Sequence, residues 1–587
     1  MLMKKWIVLL ALCIVGIPLL CAGNLQKIHP LSSLIYELID FLYISQGLAL
    51  PSTSRPYSSA EVHHLLDRIN YENLSKIERE AYESIRKEAQ PAAKVFSFSF
   101  PLSLEAYIHT NVDDFTKPED WIRGYEERRP LVDIILETWP GNGVYGYTSY
   151  PIVGTKFTGP HQASDLYGTT AFQSNLRFFG FGKEYNASDW GVPYRAFGSL
   201  GGSTWNITIG REKAAWGSGV SGNFMIDEHL TYHNLGRYTA FKDAFKYTLL
   251  LSCFPHPSLY YPDGGGPGSF NENHTSSHNN LIDGINMFIG HRLEWRFFRD
   301  SMGFVISESI MYQSKENFLD FSILSPTMVF HNLYIRQNAN SILAFEFDYS
   351  PMKHLNIYTQ IAIDEFAIPG EENGYPSAMA YMLGVKGALP RTDGYLFGSL
   401  EGVYTDPYLY LRDDGNLADG VANQGIGEYG INWIVAIKRL YSNSSIFYEE
   451  DFIGYPHGGD AVVLNANLGY RKIGRWNAGG NLFVMWHGTF DKWTLWSVVG
   501  GEGNEPVVTA PTTTHPGGNK NNRDANAKDR DSASLTFALS AYGSYTYNQH
   551  LELFGQIDLV HIRHADHDRT TAPITDLQTT LGATWRF

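Results

Sequence analysis

The sequence predicts a transmembrane antiparallel β-barrel of about eighteen strands with a small helical bundle at its N-terminus. Three observations carry that reading. The final strand alternates, with Leu577, Leu581, Ala583, Trp585 and Phe587 on one face and Gln578, Thr580, Thr584 and Arg586 on the other. One apolar face, one polar face and a terminal aromatic suit a closing strand whose outside meets lipid. Aromatics make up 14% of the 587 residues, yet mean hydropathy is only -0.22, as expected when half of every strand stays polar. Beyond the first two dozen or so residues, no stretch is long and apolar enough for a membrane-spanning helix.

The N-terminus reads as a secretory signal over residues 1–23. Lys4 and Lys5 precede an apolar run from Trp6 to Leu20, followed by the small residues Ala22 and Gly23. Lipidation at Cys21 is the rival, opposed by bulky Leu19-Leu20. Of the 3 cysteines only Cys253 lies well clear of the signal, so no disulfide framework is expected.

Residues 24–91 show helical periodicity and are expected to form a periplasmic bundle at the barrel's inner mouth. Leu34, Ile35, Leu38, Ile39 and Leu42 recur at three- and four-residue steps. Ser58-Ser59-Ala60-Glu61 and Ser75-Lys76-Ile77-Glu78 read as capping boxes opening two further helices. Gly47 to Pro51 and Arg55-Pro56 break the chain between the first and second.

The barrel is expected over residues 92–587, where the period switches to two. Leu343, Phe345, Phe347 and Tyr349 face away from Ala344, Glu346 and Asp348, and Leu355, Ile357, Ile361 and Ile363 stand opposite Asn356, Gln360 and Asp364. Short connections such as Pro390 to Gly394, Ser442 to Ser444 and Asn548 to His550 alternate with long ones at Pro255 to Asp283, Leu411 to Glu428 and Gly500 to Ser532. The short class should be periplasmic and the long class extracellular. About fourteen strands are expected after residue 240 and about four before it. The terminal order of polar residue, Gly582, Trp585 and Phe587 also resembles the signal read by the outer-membrane insertion machinery.

Several segments resemble the capsule-assembly outer-membrane proteins of the Wzi family. They are Gly47 to Pro51 with Ser54 to Ser58, Trp205 to Arg211, Trp216-Gly217-Ser218-Gly219 with Gly222 to Ile226, and Gly454 to Ala461. The resemblance implies an eighteen-stranded barrel in the outer membrane of a Gram-negative-type bacterium, acting as a lectin that holds capsular or related polysaccharide. The Gly- and Asn-rich loops at Pro255 to Asp283 and Gly500 to Ser532 depart from the family pattern, and surface loops carry ligand specificity.

Trp216-Gly217, with Arg211 and Lys213, is expected to fold into the lumen and close it; the competing role is a sugar-stacking platform. Tyr408, Tyr410, Trp493 and Trp496 lie near the ends of strands, where a lipid-interface belt and sugar stacking both suit them. Lumen-facing Arg292, Glu294, Arg296, Glu346, Asp348, Asp364, Glu552, Asp558 and Arg586 are expected to pair across strands rather than to act as a glycosidase couple. His561, His564 and His567 with Asp566 and Asp568 have metal-ligand chemistry, but their loop spacing fixes no geometry. Gly264 to Gly268 lacks the lysine of a phosphate loop, and Glu228 precedes His229 and His233 out of zinc-protease order. No catalytic residue, metal or cofactor is expected. The net charge of -16 opposes nucleic acid as a partner. The expected partners are surface polysaccharide, membrane lipid and the insertion machinery; the alternative function is a diffusion channel for small solutes.

Overall fold

The computed structural model describes residues 24–91, 94–115, 120–124, 127–152, 172–174, 195–256, 284–314, 319, 321–325, 339–365, 378–413, 431–440, 446–488, 495–500, 506–509, 533–565 and 569–587. They form a closed antiparallel barrel of 18 strands. Its first stave is broken at Pro101. Phe96–Ser99 pairs with Val132–Thr138, and Leu102–His109 pairs with the closing strand Ile574–Trp585. Beyond Val132 the open edge of Leu102–His109 is taken over by Phe172–Ser174. From Val132–Thr138 onward every full stave hydrogen-bonds the next full stave in chain order, Val144–Ile152 reaching past Phe172–Ser174 to Arg195–Gly201.

Alternation sets which face meets lipid. Ile209, Leu383, Leu400, Leu468 and Leu581 are more than half exposed on the outside, while Thr248, Arg292, Asn356, Gln360 and Glu401 are buried inside. Trp476, Tyr545, Tyr547, Trp585 and Phe587 stand on the exterior around the short-turn end, as in an interfacial girdle. Tight turns close that end. Asp243 and His354 adopt left-handed φ of 51° and 73° in the connections after Lys242 and Met352. No helix among the described residues is long and apolar enough to cross a membrane; strands do the crossing.

The total of eighteen agrees with the expectation, but its distribution does not. Six staves begin before residue 240 and twelve after it. The expected turn at Ser442 to Ser444 lies outside the described residues, and its flanking strands Ile434–Leu440 and Ile446–Phe452 pair only with each other. Trp433, Ile434, Val435, Ala436 and Ile437 are buried without alternation. A segment apolar on both faces has no polar side for a wet lumen and no need of lipid, so this hairpin lies in the barrel's interior core.

Three helices dock on the short-turn rim: α1 (Leu34–Gln46), α2 (Ser59–Asp67) and α3 (Lys76–Glu88). Gly47, at φ 76°, ends α1 in the left-handed conformation that a side chain resists. The box at Ser75 and Glu78 forms as expected. At the start of α2 only half of it forms: Ser58 accepts from Glu61 N at 3.2 Å, while the Glu61 carboxylate reaches Lys246 in the barrel wall. The helices share one apolar core with Ala388, Tyr395 and Ile473 of the rim. Phe41 stacks on Tyr395 at 4.1 Å, and Arg471–Glu37 and Arg68–Asp300 tie the edges.

Candidate functional site: an occluded lumen and its outer end

Between α1 and α2 the chain enters the barrel. Ala49 N donates to Asp300 O at 2.7 Å and Leu50 N to Asp348 at 2.7 Å. Ser52 Oγ donates to Glu294 at 3.1 Å and Thr53 Oγ1 to Glu346 at 2.9 Å. Ser54 and Arg55 then pair as a short strand with Trp216 and Ala215. The wall charges thus bind an inserted segment as well as each other. Arg292, wholly buried, reaches Glu294 at 3.1 Å and Glu346 at 2.5 Å, and Lys246 bonds Ser52 Oγ at 3.0 Å and Ser54 O at 2.8 Å. Buried charge is tolerable only when paired and hydrogen-bonded in this way.

The second element of the plug is Ala214 to Leu230. Trp216 is wholly buried, edge-on to Phe288 at 6.1 Å and beneath the Arg292 guanidinium at 5.7 Å. Its backbone N bonds Ile226 O at 2.9 Å, and Gly217 N bonds Thr53 O at 2.9 Å. Gly217 adopts φ +136°, and a β-carbon there would lie 2.1 Å from Asn223 Oδ1, so only glycine fits. Glu401 holds the loop's tip, accepting from Val220 N at 2.8 Å, Ser221 N at 2.9 Å and Tyr358 at 2.6 Å. Phe224, Met225, Ile226, Trp433, Ile453 and Tyr455 make an apolar core inside the barrel.

Polar anchors fix that core. Asp227 pairs with His229 at 3.1 Å, and Asp451 lies 3.8 Å from the other ring nitrogen. Burial raises the Asp227 carboxyl, but hydrogen bonding and charge from His229 and the Asn223 amide outweigh it and hold it below the usual range. Burial lowers His229, and its two carboxylates outweigh that and raise it. His457, buried near His487 and His229, is pushed down to about 4.

Tyr410, at φ 67°, is wholly buried, its hydroxyl donating to Phe224 O, while Tyr408 is half-buried. The chain continues into Arg412–Asp413, which pairs in parallel with Leu495 and Trp496. Leu495–Gly500 pairs in turn with Pro506–Thr509. The backbone therefore brings the segment that follows Tyr408 together with that of Trp496 in one small sheet separate from the barrel's own. Trp493 lies outside the described residues, as do Gly264 to Gly268, Asp566, His567 and Asp568. His561 bonds Thr575 at 2.7 Å and His233 bonds Ser252 at 3.1 Å. Glu552 pairs with Arg586 and Arg129, and Asp364 accepts from Tyr410 N at 2.9 Å.

Sequence reasoning missed Leu50 to Ser54 as a luminal element. Its signal was the density of inward wall charge around residues 246, 292, 294, 346 and 348, more than neighbouring strands alone use. It also missed the Ile434–Phe452 hairpin, whose unbroken apolar run was visible.

No family model matches the chain, and no curated protein matches it. Among solved structures it is similar to Wzi, described as an outer-membrane protein involved in group 1 capsule assembly in Escherichia coli and a carbohydrate-binding β-barrel. That likeness has a TM-score of 0.53 at 11% identity, over 96% of this chain and 99% of that one. The outer-membrane channel DcaP of Acinetobacter baumannii (TM-score 0.32, 7% identity, 84% of this chain and 97% of that one) and a BenF-like porin from Pseudomonas fluorescens (0.35, 8%, 84% and 99%) are more distant. At these identities what is shared with Wzi is the fold: the chain is a β-barrel of the outer-membrane type.

Proposed function

We propose that this barrel is a non-enzymatic surface protein that holds capsular or related polysaccharide on the cell, with the short-turn end in the periplasm and the long connections outside. The observation that carries the reading is the plug. A barrel whose axis is filled by a hydrogen-bonded insert and an apolar core is built as a platform rather than as a wide pore. The fold shared with a carbohydrate-binding barrel supports the same reading. The small outer sheet around Arg412–Asp413 and Leu495–Gly500 is the proposed contact region, with Tyr408, Trp493 and Trp496 stacking on sugar rings. Buried Trp216 and Tyr410 serve as its foundation. Binding needs no cofactor.

The test is surface glycan retention in cells carrying wild type or the W493A/W496A variant, compared with cells lacking the protein. Retention should fall to the level of the deletion while the barrel stays folded. Equal retention in all three strains refutes the reading, and porin-scale conductance of the wild type would favour the diffusion-channel alternative.

A further inference from the structure

The lumen wall is not packed evenly from stave to stave. On strand Met302–Ser314 every inward residue from Gly303 to Gln313 is buried against the plug. On strand Trp476–His487 every inward residue, Asn477, Gly479, Asn481, Phe483, Met485 and His487, is only half-buried. That is the full length of a stave facing the inside, accessible to water from end to end. Phe483 and Met485 lean on the apolar core, so the plug bounds the wet strip on one side.

Its polar lining is neutral once the Arg471–Glu37 and Arg129–Glu552 pairs at the short-turn end are passed: Asn467, Asn477, Asn481, Tyr542, Ser544 and Gln556 are all half-buried and uncharged. They bond one another: Asn467 to Tyr542 at 3.1 Å, Asn481 to Asn465 at 3.0 Å, Ser544 to Asn477 at 2.8 Å. Strand register sets Asn467, Asn481, Ser540 and Asp558 in one transverse row at mid-depth. Ser540 and Asp558 are buried in that row, so the strip narrows there and continues past Asn467 and Asn481.

We infer that the barrel keeps a narrow aqueous passage beside its plug, off the axis, that admits small uncharged polyhydroxylated solutes. Amides and hydroxyls both donate and accept hydrogen bonds, so they replace the water lost from a solute's hydroxyls without favouring either sign of charge. The row at Asn467 and Asn481 is its neck.

The full-length mature protein, reconstituted in liposomes, is tested by osmotic swelling in arabinose and in raffinose. The expected result is swelling in arabinose several-fold above protein-free liposomes and none in raffinose, with N467W/N481W returning arabinose swelling to the protein-free level. Should that variant fail to fold, N481C in a C253S background, blocked by a bulky thiol reagent, reads the same neck. Arabinose swelling at the protein-free level in wild type overturns the passage. So does swelling untouched by blocking the neck, or equal swelling in raffinose. Glycan retention at the surface is not read by this assay, so failure here leaves the polysaccharide-holding reading standing.

Discussion

Replacing Arg292 with methionine should release the threaded segment while leaving the wall closed. The Arg292 guanidinium bonds Glu294 at 3.1 Å, Glu346 at 2.5 and 2.9 Å and Ser307 at 3.1 Å, and those two carboxylates hold Ser52 and Thr53. Methionine keeps the aliphatic stem but strands two buried carboxylates with one cation fewer. Removing one partner of a buried ion pair costs about 3–5 kcal/mol. Lys246, bonded to Ser52, compensates in part, so the lower end applies. At about 1.4 kcal/mol per decade, the released population should rise about 100-fold.

The assay is maleimide labelling of A49C in a C253S background. Ala49 is wholly buried, so its thiol reacts only when the segment leaves, and the rate follows the open population when reclosing is fast. R292M should label about 100-fold faster than the parent. R292M/E346L, which removes both members of the pair, should recover most of the loss. A rise of less than about fivefold in R292M, worth about 1 kcal/mol, would show that the plug holds the segment without this cluster.

Gly217→Ala should destabilise the plug by about 1–3 kcal/mol, because φ is +136° and the new methyl meets Asn223; a lowered urea midpoint by tryptophan fluorescence checks it. His229 has a folded pKa above its ordinary 6.5, so its stabilisation is complete below that value and is lost as pH rises through the folded one. Labelling of M225C in a C253S background, divided at each pH by the rate of a free thiol, should therefore accelerate from neutral toward alkaline pH, and that ratio should be nearly flat over the range in H229N. Hydrogen bonds from Ser45, Ser75 and Gln46 outweigh burial and hold Glu78 below its ordinary 4.5, so its contribution to α3 is present above that value and is lost as pH falls through the folded one. Amide protection across Lys76–Glu88, taken relative to the intrinsic exchange rate at each pH, should fall as pH drops well below 4.5, and E78A should show the weaker protection already at pH 7, about 0.5–2 kcal/mol less.

Most of the wall was legible because a stave between lipid and water writes its two faces into the sequence. Phe347 and Tyr349 outside, Glu346 and Asp348 inside, need no knowledge of any other strand. The total of eighteen followed, and the helices followed from the spacing of Leu34, Ile35, Leu38, Ile39 and Leu42 and from the caps at Ser58 and Ser75. What the alternation rule could not place was whatever is surrounded on all sides. Ile434 to Ile437 fit no two-faced pattern and still passed for a stave because they are short and end in a turn. Leu50 to Ser54 looked like a linker because its backbone bonds go to wall carboxylates almost 250 residues or more away, which no local pattern records. The aromatic candidates divided in the same way. Tyr408 and Tyr410 are two residues apart, yet the left-handed turn at Tyr410 sends one ring inward, and that turn carries no glycine to announce it.

A barrel of eighteen strands is too wide for its own side chains to fill. Some part of the lumen must be wet unless the chain supplies extra mass, and this chain supplies it unevenly. Residues 49–57, 214–230 and 431–437 all lie against the staves between Arg237 and Val463. Burying Trp216, Phe224 and Trp433 there contributes about 1.5–3 kcal/mol each, and more for tryptophan, enough to hold three separated segments in one place. The staves from Asn465 to Ser544 receive less of that mass, and their half-buried inward residues include the amides and hydroxyls of Asn467, Asn477, Asn481, Tyr542 and Ser544, which water satisfies at no cost. Lining and filling match on both sides, apolar core against a packed wall and neutral polar strip against water. Had the strip been meant for packing, Asn467 and Asn481 would be buried polar groups at a penalty of about 1–3 kcal/mol apiece. Their half-exposure is therefore the feature on which the two-compartment reading turns, and filling it with tryptophan should cost permeation while leaving the plug intact.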